Sequence, residues 1–221
     1  MSVKSAYDKR AKYYAKDIDT IFLFEMEKDI VMDFLGLKKN TKILDLGCGV
    51  WRYISLITKK TKKLTSSDLS QKMIDIIKDK YPIIQCIQSD MTKKLPFQNG
   101  TFDKILCTQA IKHVGDIWST FKEISRILQS KWEFVFTVIH PEADRRWYKL
   151  KKSSTINIDE PCYLTRQTLT QLLDAIEIAK FTLIWMKQAI VWEKVKWLLT
   201  KESYSKMKDR ALILIFHVKK N

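Results

Sequence analysis

The sequence predicts an α/β fold in which a mostly parallel sheet is covered by helices on both faces. Apolar, strand-like runs alternate with segments of helical periodicity, which is the pattern of such a sheet. The chain has 221 residues, 46% of them hydrophobic, and shows neither repeats nor a low-complexity linker, so one domain spanning 1–221 is expected. Strands are predicted at 42–46, 63–67, 83–88, 103–108, 133–139, 181–185 and 211–216, and helices near 51–60, 70–79, 117–128 and 165–178.

The loop after the first strand is the most informative segment. The run 42–46 is apolar around Asp45 and is followed at once by Gly47, Cys48 and Gly49. Two glycines let the backbone turn tightly and approach a ligand closely. The helix predicted next has N-terminal amides that favour negative charge, so the loop suits a nucleotide-like or carboxylate-bearing ligand.

Later residues restrict that ligand further. Arg52 stands where a dinucleotide fingerprint needs another glycine, which argues against a nicotinamide cofactor. Asp68 ends the second strand, where a carboxylate can accept hydrogen bonds from both ribose hydroxyls. Asp90 ends the third strand in the same way. Carboxylates aligned along one edge of a parallel sheet suit a ligand with hydroxyls, an amine and no phosphate.

These motifs together resemble the class I S-adenosylmethionine-dependent methyltransferases, specifically the small-molecule branch related to ubiquinone and menaquinone methylases. The resemblance runs from Tyr7 to Val218 and implies a Rossmann-like, doubly wound, mostly parallel seven-stranded sheet that ends in an antiparallel hairpin. The segments similar to the family's successive motifs are ILDLGCG at 43–49, SSDLSQKMI at 66–74, SDMTKKLPFQNGTFD at 89–103 and KHVGDIWSTFKEISRIL at 112–128.

The resemblance implies S-adenosyl-L-methionine as the cofactor and assigns residues to it. Asp68 would hold the ribose, with Leu69 in the same site, and Asp90 and Met91 would lie beside the adenine. Thr108, after the fourth strand, would line the methyl-transfer cleft. A helix cap or a turn is the alternative role for each strand-end aspartate. The residues implied around the methionine end are Asp45, Gly47, Cys48 and Gly49.

Methyl transfer from a sulfonium requires positioning and no covalent nucleophile, and the need for a general base depends on the acceptor. His113 and His140 follow the fourth and fifth strands, at the sheet edge where ligands bind in open α/β folds. Both are therefore candidate bases, with a capping or surface histidine as the alternative. Residues 1–40 are expected to form an N-terminal helical cover, and 141–166 is the predicted lid or acceptor segment.

A metal site is not expected, because the four cysteines are scattered without a CxxC pair. Cys48, Cys86, Cys107 and Cys162 are predicted to be free thiols. No stretch approaches the roughly 20 apolar residues of a membrane span, and the N-terminus lacks the apolar core of a signal peptide. The sequence therefore predicts a cytoplasmic protein.

The predicted acceptor is a small molecule. The segment 108–111 stands where amino-group methylases of adenine or glutamine carry Asn or Asp, two prolines and an aromatic residue, so the resemblance argues against that class. A net charge of +15 keeps an RNA methyltransferase open as the runner-up, although lysines spread over the whole chain also fit a lysine-rich proteome. A non-catalytic or membrane-peripheral module with an impaired cofactor loop is the third possibility. Trp51 in that loop is the main argument for a non-catalytic module. A basic amphipathic patch is the argument for membrane contact, and it consists of lysines at 187, 194, 196, 201, 206 and 208 around Trp185, Trp192 and Trp197.

Two tryptophans depart from the family pattern. Trp51 and Trp132 stand where the resemblance places glycines, and an indole there is strained if the backbone needs a positive φ. Glycine is scarce, at 5 of 221 residues, and Lys180 also occupies a position where relatives often have it. The two explanations are drift in a glycine-poor proteome and tryptophans that are glycines in the cell, misread from a recoded stop codon.

Overall fold

The computed structural model describes residues 2–14, 18–50, 52–141, 143 and 167–221. In these ranges seven strands form one sheet: β1 (Ile43–Leu46), β2 (Leu64–Asp68), β3 (Gln85–Gln88), β4 (Phe102–Thr108), β5 (Leu128–Ile139), β6 (Phe181–Ile190) and β7 (Ala211–Lys220). The helices are α1 (Val3–Tyr14), α2 (Ile18–Leu35), α3 (Ile54–Ile57), α4 (Gln71–Lys80), α5 (Ile117–Ile127), α6 (Leu169–Ile178) and α7 (Lys201–Met207), with 3₁₀ turns at Ile111–His113 and Glu193–Leu198.

The strand order is β3-β2-β1-β4-β5-β7-β6. The first five strands run parallel, and β7 lies antiparallel between β5 and β6. This confirms the predicted fold class, a doubly wound and mostly parallel sheet with a terminal antiparallel pair. The carboxyl ends of β1, β2 and β4 therefore meet at one edge of the sheet.

Local sequence explains where the helices begin. The Ser70 hydroxyl accepts a hydrogen bond from Met73 N at 3.2 Å and starts α4, and the Asp116 carboxylate accepts one from Ser119 N at 3.0 Å and starts α5. Tyr53 precedes α3 without a side-chain cap, and α3 extends for only 4 residues where a longer helix near 51–60 was predicted.

The sheet separates two apolar cores because successive strand residues point to opposite faces. Ile43, Leu106 and Val135 pack with α2 on one face. On the other face, the ring centroids of Phe136 and Phe216 lie 4.6 Å apart in a stack beside α5 and α6. The sheet that carries the strand ends is therefore packed on both faces.

The strained position near the start of β5 is a lysine and not a tryptophan. Lys131 has φ +67°, whereas Trp132 is not among the residues with positive φ. The pairing of β4 with β5 shifts register at this place, so Lys131 occupies a bulge. Trp132 packs against the core with Lys104 Nζ 5.9 Å from its ring centre. Trp51, the other departure from the family pattern, lies outside the described residues.

An ionic cluster lies at the amino end of β4. Lys104, which is 7% exposed, forms an ion pair with Glu133, and His217 Nε2 lies 3.0 Å from Glu133 Oε2. The hydrogen bond from His217, with the hydrogen bond and charge of Lys104, lowers the pKa of Glu133 to about 2. The cluster ties β4, β5 and β7 together.

Cys48, Cys86 and Cys107 are free thiols, and Cys162 lies outside the described residues. No group of three or more potential metal ligands occurs within the ranges described. The helices of those ranges are all too short or too polar to cross a membrane.

Candidate functional site

A cavity of about 660 Å³ opens at the carboxyl edge of the sheet. Its wall is built from the residues that follow β1, β2, β3 and β4, together with residues of α1. Ligands bind at this edge in open α/β folds because the loops between strands and helices diverge there. Of the residues predicted from the sequence, the cavity brings together Gly47, Gly49, Asp68, Leu69, Asp90, Met91, Thr108 and His113.

The glycine loop forms one wall of the cavity with its backbone. Gly47 has φ +74° and Gly49 has φ +58°, a region that side chains rarely adopt. A Cβ on Gly47 would lie 2.5 Å from the Cβ of Ala110 and 3.1 Å from Cε of Met91. Gly47 N donates a hydrogen bond of 2.7 Å to Ser67 O. Gly47 therefore packs so closely against Ala110 that a side chain at this position would clash.

Asp68 connects this loop to the end of β2. Its Oδ2 accepts a hydrogen bond of 2.9 Å from Gly49 N, and its Oδ1 accepts one of 2.9 Å from Ser70 N. Desolvation raises the pKa of Asp68 to about 6, although these backbone hydrogen bonds partly oppose the rise. A carboxylate offers about four acceptor positions, so Asp68 can accept further hydrogen bonds from a ligand in the cavity.

Asp45, in β1, and Cys48, between the two glycines of the loop, are not part of the cavity lining. Asp45 is 2% exposed, and burial, reinforced by repulsion from Asp68, raises its pKa to about 7. The thiol of Cys48 lies 3.8 Å from Gly49 O, and burial raises its pKa well above the usual value. Among the described residues neither Asp45 nor Asp68 forms an ion pair, so a cation bound in the cavity would be attracted by both.

Asp90 stabilises a turn and also lines the cavity. Its Oδ1 accepts hydrogen bonds from Thr92 N at 3.0 Å and from Thr92 Oγ1 at 2.7 Å, which is the turn role expected as the alternative. Its Oδ2 lies 3.9 Å from Lys93 Nζ. Met91 reaches across toward Gly47. The wall beside β3 therefore offers a carboxylate and an apolar thioether to a ligand.

The two candidate histidines occupy different environments. His113 lines the cavity, and its Nε2 lies 2.7 Å from the hydroxyl of Tyr7, with the two rings 5.2 Å apart. His140 lies after β5, where its backbone N donates to Leu212 O at 2.8 Å, and it is not part of the cavity lining. Of the predicted segment 141–166, only positions 141 and 143 are described.

The sequence prediction missed the side chains that α1 contributes. Tyr7 and Tyr14 lie two helical turns apart and both line the cavity, with ring centres separated by 5.7 Å. Ser70 Oγ donates to Asp8 Oδ1 at 2.5 Å, and Arg52 donates to Tyr14 O at 2.9 Å, so α1 is docked on the strand-end loops. The seven-residue spacing of the two tyrosines was the signal that could have identified them.

This set of groups fits S-adenosylmethionine. Asp68 offers acceptors to a diol, and Leu69 and Met91 provide apolar surface for a base. The glycine loop presents its backbone to the cavity, and a Cβ at Gly47 would clash with Ala110. Two carboxylates without an ion-pair partner in the described part of the chain favour a cationic ligand over an anionic one.

Comparison with known proteins agrees with this chemistry. Residues 44–136 match the methyltransferase domain family. The structure superposes on an S-adenosylmethionine-dependent methyltransferase from Mesorhizobium loti with a TM-score of 0.73 and 19% identity, over 88% of this chain and 98% of the other. At that identity the superposition establishes a shared fold.

Proteins similar in sequence include one archaeal and one bacterial relative. An uncharacterised protein of Methanocaldococcus jannaschii is 25% identical over 182 residues, which cover 80% of this chain and 68% of the relative. A demethylmenaquinone methyltransferase of Staphylococcus aureus is 28% identical over 121 residues, 51% of this chain and 50% of the relative. This chain therefore spans about half the length of the menaquinone enzyme.

Proposed function

We propose that this chain, which carries a class I S-adenosylmethionine-dependent methyltransferase domain, transfers a methyl group to a small-molecule acceptor. The main observation in favour of a small-molecule acceptor is that α1 lines the cavity and packs on the loops around it. A cavity of about 660 Å³ bounded by α1 suits a cofactor and a compact acceptor. The similarity to a demethylmenaquinone methyltransferase supports a small organic acceptor.

The cofactor supplies an activated methyl group on a cationic sulfonium. We assign Asp68 to the ribose hydroxyls, Asp90 and Met91 to the adenine, and the loop from Gly47 to Gly49 to the methionine end. Asp45, in β1 before that loop, would stabilise the positive charge through space. The protein's contribution is mainly positioning, because an in-line displacement needs the acceptor and the methyl carbon held in close alignment.

His113 is the proposed proton acceptor when the acceptor is a hydroxyl or an amine. Its ring is held by the Tyr7 hydroxyl at 2.7 Å, and it lines the same cavity as Thr108. For the other ring nitrogen to accept that proton, Nε2 must carry the ring proton and donate to the Tyr7 hydroxyl oxygen. His140, outside the cavity lining, is not assigned a role in this reaction.

A transfer assay tests the acceptor class. Purified protein is incubated with S-adenosylmethionine labelled in the methyl group, together with a metabolite extract or with total RNA. Label is expected in the small-molecule fraction, and Asp68→Ala should reduce it. Label that appears in RNA alone would contradict the proposed acceptor.

RNA is the second candidate because the chain has a net charge of +15. Neutralised phosphates release counterions, so RNA affinity should fall steeply as salt rises. Binding of RNA that is weak and independent of salt would remove this candidate. The assay with total RNA and the salt titration together separate the two acceptor classes.

A further inference from the structure

A buried carboxyl group lies behind the cavity wall and has no role in the steps assigned above. Glu27, on α2, is 1% exposed. Its Oε1 accepts a hydrogen bond of 3.2 Å from the Tyr53 hydroxyl, and its Oε2 accepts one of 3.0 Å from Gln109 Nε2. Gln109 Nε2 also donates to Thr137 Oγ1 at 3.2 Å. Glu27 therefore connects α2 to the carboxyl ends of β4 and β5.

Gln109 forms part of the cavity wall and is held in an unfavourable conformation. It follows Thr108 at the end of β4 with φ +55°, a region that glutamine rarely adopts. Its Oε1 is buried and has no hydrogen-bond partner in the described part of the chain. Strained backbone of this kind persists when its surroundings determine it, and it concentrates at functional sites.

The wall that Gln109 forms is in contact with the cofactor loop. The next residue, Ala110, is the one whose Cβ lies 2.5 Å from a Cβ placed on Gly47. Thr108 and His113, on either side of this turn, line the same cavity. A displacement of Gln109 would therefore move the part of the cavity wall that packs against the glycine loop and carries Thr108 and His113.

We propose that Glu27 is a positioning residue for methyl transfer, which holds the Gln109 wall in place through the Gln109 carboxamide. This inference rests on the proposed function. Glu27 acts through Gln109 and does not line the cavity itself. Its carboxylate is the acceptor that orients the Gln109 amide, so its protonation state determines which hydrogen bonds the wall can make.

The electrostatic surroundings make this contact sensitive to pH. Burial raises the pKa of Glu27 to about 7, and the hydrogen bonds from Gln109, Thr137 and Tyr53 and the charge of Lys112 oppose the rise. Arg52 and Asp45 act on the network through Tyr53. When Glu27 binds a proton, one of its oxygens becomes a donor and the buried Gln109 Oε1 becomes a suitable acceptor. The hydrogen bond between Gln109 Nε2 and the Glu27 carboxylate can then be replaced by one from the protonated Glu27 to Gln109 Oε1.

The test compares Glu27→Gln with Glu133→Gln, the same substitution at the opposite end of the sheet. Single-turnover methyl transfer is measured on both sides of pH 7, and S-adenosylhomocysteine affinity is measured by calorimetry. Glu27→Gln should lower the transfer rate by about tenfold to a hundredfold, as expected for misplaced reactants. It should also reduce the pH dependence near pH 7 to the part that Asp45 contributes, since the pKa of Asp45 is also raised to about 7. Glu133→Gln should leave the rate and its pH profile unchanged. An unchanged rate and profile in a folded Glu27→Gln protein would overturn the proposal.

A double-mutant cycle tests the route through Gln109. Gln109→Ala should reduce the rate to a similar extent, and Glu27→Gln should have little further effect in that background. Effects that add independently would contradict the proposal.

Nuclear magnetic resonance of the Gln109 side-chain amide provides a readout that needs no acceptor. In the wild-type protein with S-adenosylhomocysteine bound, the amide signals should shift with a midpoint near pH 7, and Glu133→Gln should preserve that shift. Signals that do not titrate would overturn the inference even if Glu27→Gln failed to fold. A protein whose Gln109 signals titrate but which methylates no acceptor would count against the proposed function and not against the Glu27 contact.

Discussion

The carboxylates at the two ends of the sheet have opposite pKa displacements. At the carboxyl edge, burial without an ion-pair partner in the described part of the chain raises the pKa of Asp45 to about 7 and that of Asp68 to about 6. At the amino end, His217 and Lys104 lower the pKa of Glu133 to about 2. The negative charge of a carboxylate is therefore destabilised at the carboxyl edge and stabilised at the amino end.

The opposite pKa displacements indicate that the amino end contributes to stability and that the carboxyl edge is suited to binding a ligand. A paired carboxylate contributes stability at neutral pH, whereas a desolvated one reduces it. Desolvated carboxylates together with positive-φ backbone are typical of functional sites, which other parts of the structure must support. Glu133 is a paired carboxylate that stabilises the fold. Asp45, Asp68 and Glu27 are desolvated carboxylates of the kind found at functional sites. The two ends should therefore respond differently to substitution.

Gly47→Ala should have the largest effect on cofactor affinity and should act at the cofactor end. The added Cβ would lie 2.5 Å from the Ala110 Cβ at a residue with φ +74°. Steric overlap and strain should cost about 3 kcal/mol and lower cofactor affinity by about a hundredfold. Calorimetry with S-adenosylhomocysteine measures the affinity. Gly115→Ala is the control, because no atom lies within 4 Å of a Cβ there, and equal losses in both variants would contradict the steric explanation.

Glu133→Gln should reduce stability without changing the cofactor site. It leaves Lys104, 7% exposed, without its partner, and we expect a loss of about 2 to 4 kcal/mol at pH 7. Because the folded pKa is below the ordinary value of 4.5, the stabilisation is present above about pH 4.5 and is lost as pH falls toward about 2. Urea unfolding across this acid range should show a smaller pH dependence in the variant. Weaker cofactor binding in Glu133→Gln would show that the two ends are coupled.

Asp68→Ala should weaken S-adenosylhomocysteine binding by about tenfold to a hundredfold, since charge-assisted hydrogen bonds to the ribose and the bond to Gly49 N are lost. The matched control is Asp103→Ala at the amino end, where Asp103 Oδ2 accepts from Lys42 N at 2.8 Å. Both variants should lose some stability, and Asp68→Ala alone should lose affinity. Equal affinities by calorimetry would refute the ribose assignment.

Lys180→Gly should have the smallest effect and should stabilise the protein. Lys180 follows α6 with φ +60°, the position where helices often end in glycine. Relief of the left-handed strain, less the entropy cost of glycine, should yield about 0.5 to 1 kcal/mol. Thermal melting measures the gain, and Lys122→Gly within α5 should instead destabilise by about 1 kcal/mol. If Lys180→Gly also altered cofactor affinity, the strain at Lys180 would not be independent of the cofactor site, contrary to this prediction.

Local patterns were sufficient to predict much of the fold. All seven strands were located, because apolar runs bounded by turns have a periodicity that neighbouring residues alone reveal. The ends were less accurate: β5 begins at Leu128 and includes the bulge at Lys131, which depends on its pairing with β4. The glycine loop and Asp68 were recognisable because the loop directly follows β1 and Asp68 ends β2.

The sequence by itself determined the strand–loop–helix order and, through it, the edge at which the strand-end acids and glycines gather. Only the tertiary structure decided that Tyr7 meets His113, 106 residues away, and that Glu27 meets Gln109, 82 residues away. It also decided that Asp45 lies outside the cavity lining while Asp68 is part of it. The physical reason is that periodicity reports local conformation, whereas these contacts and the desolvation that shifts each pKa arise when distant segments pack together.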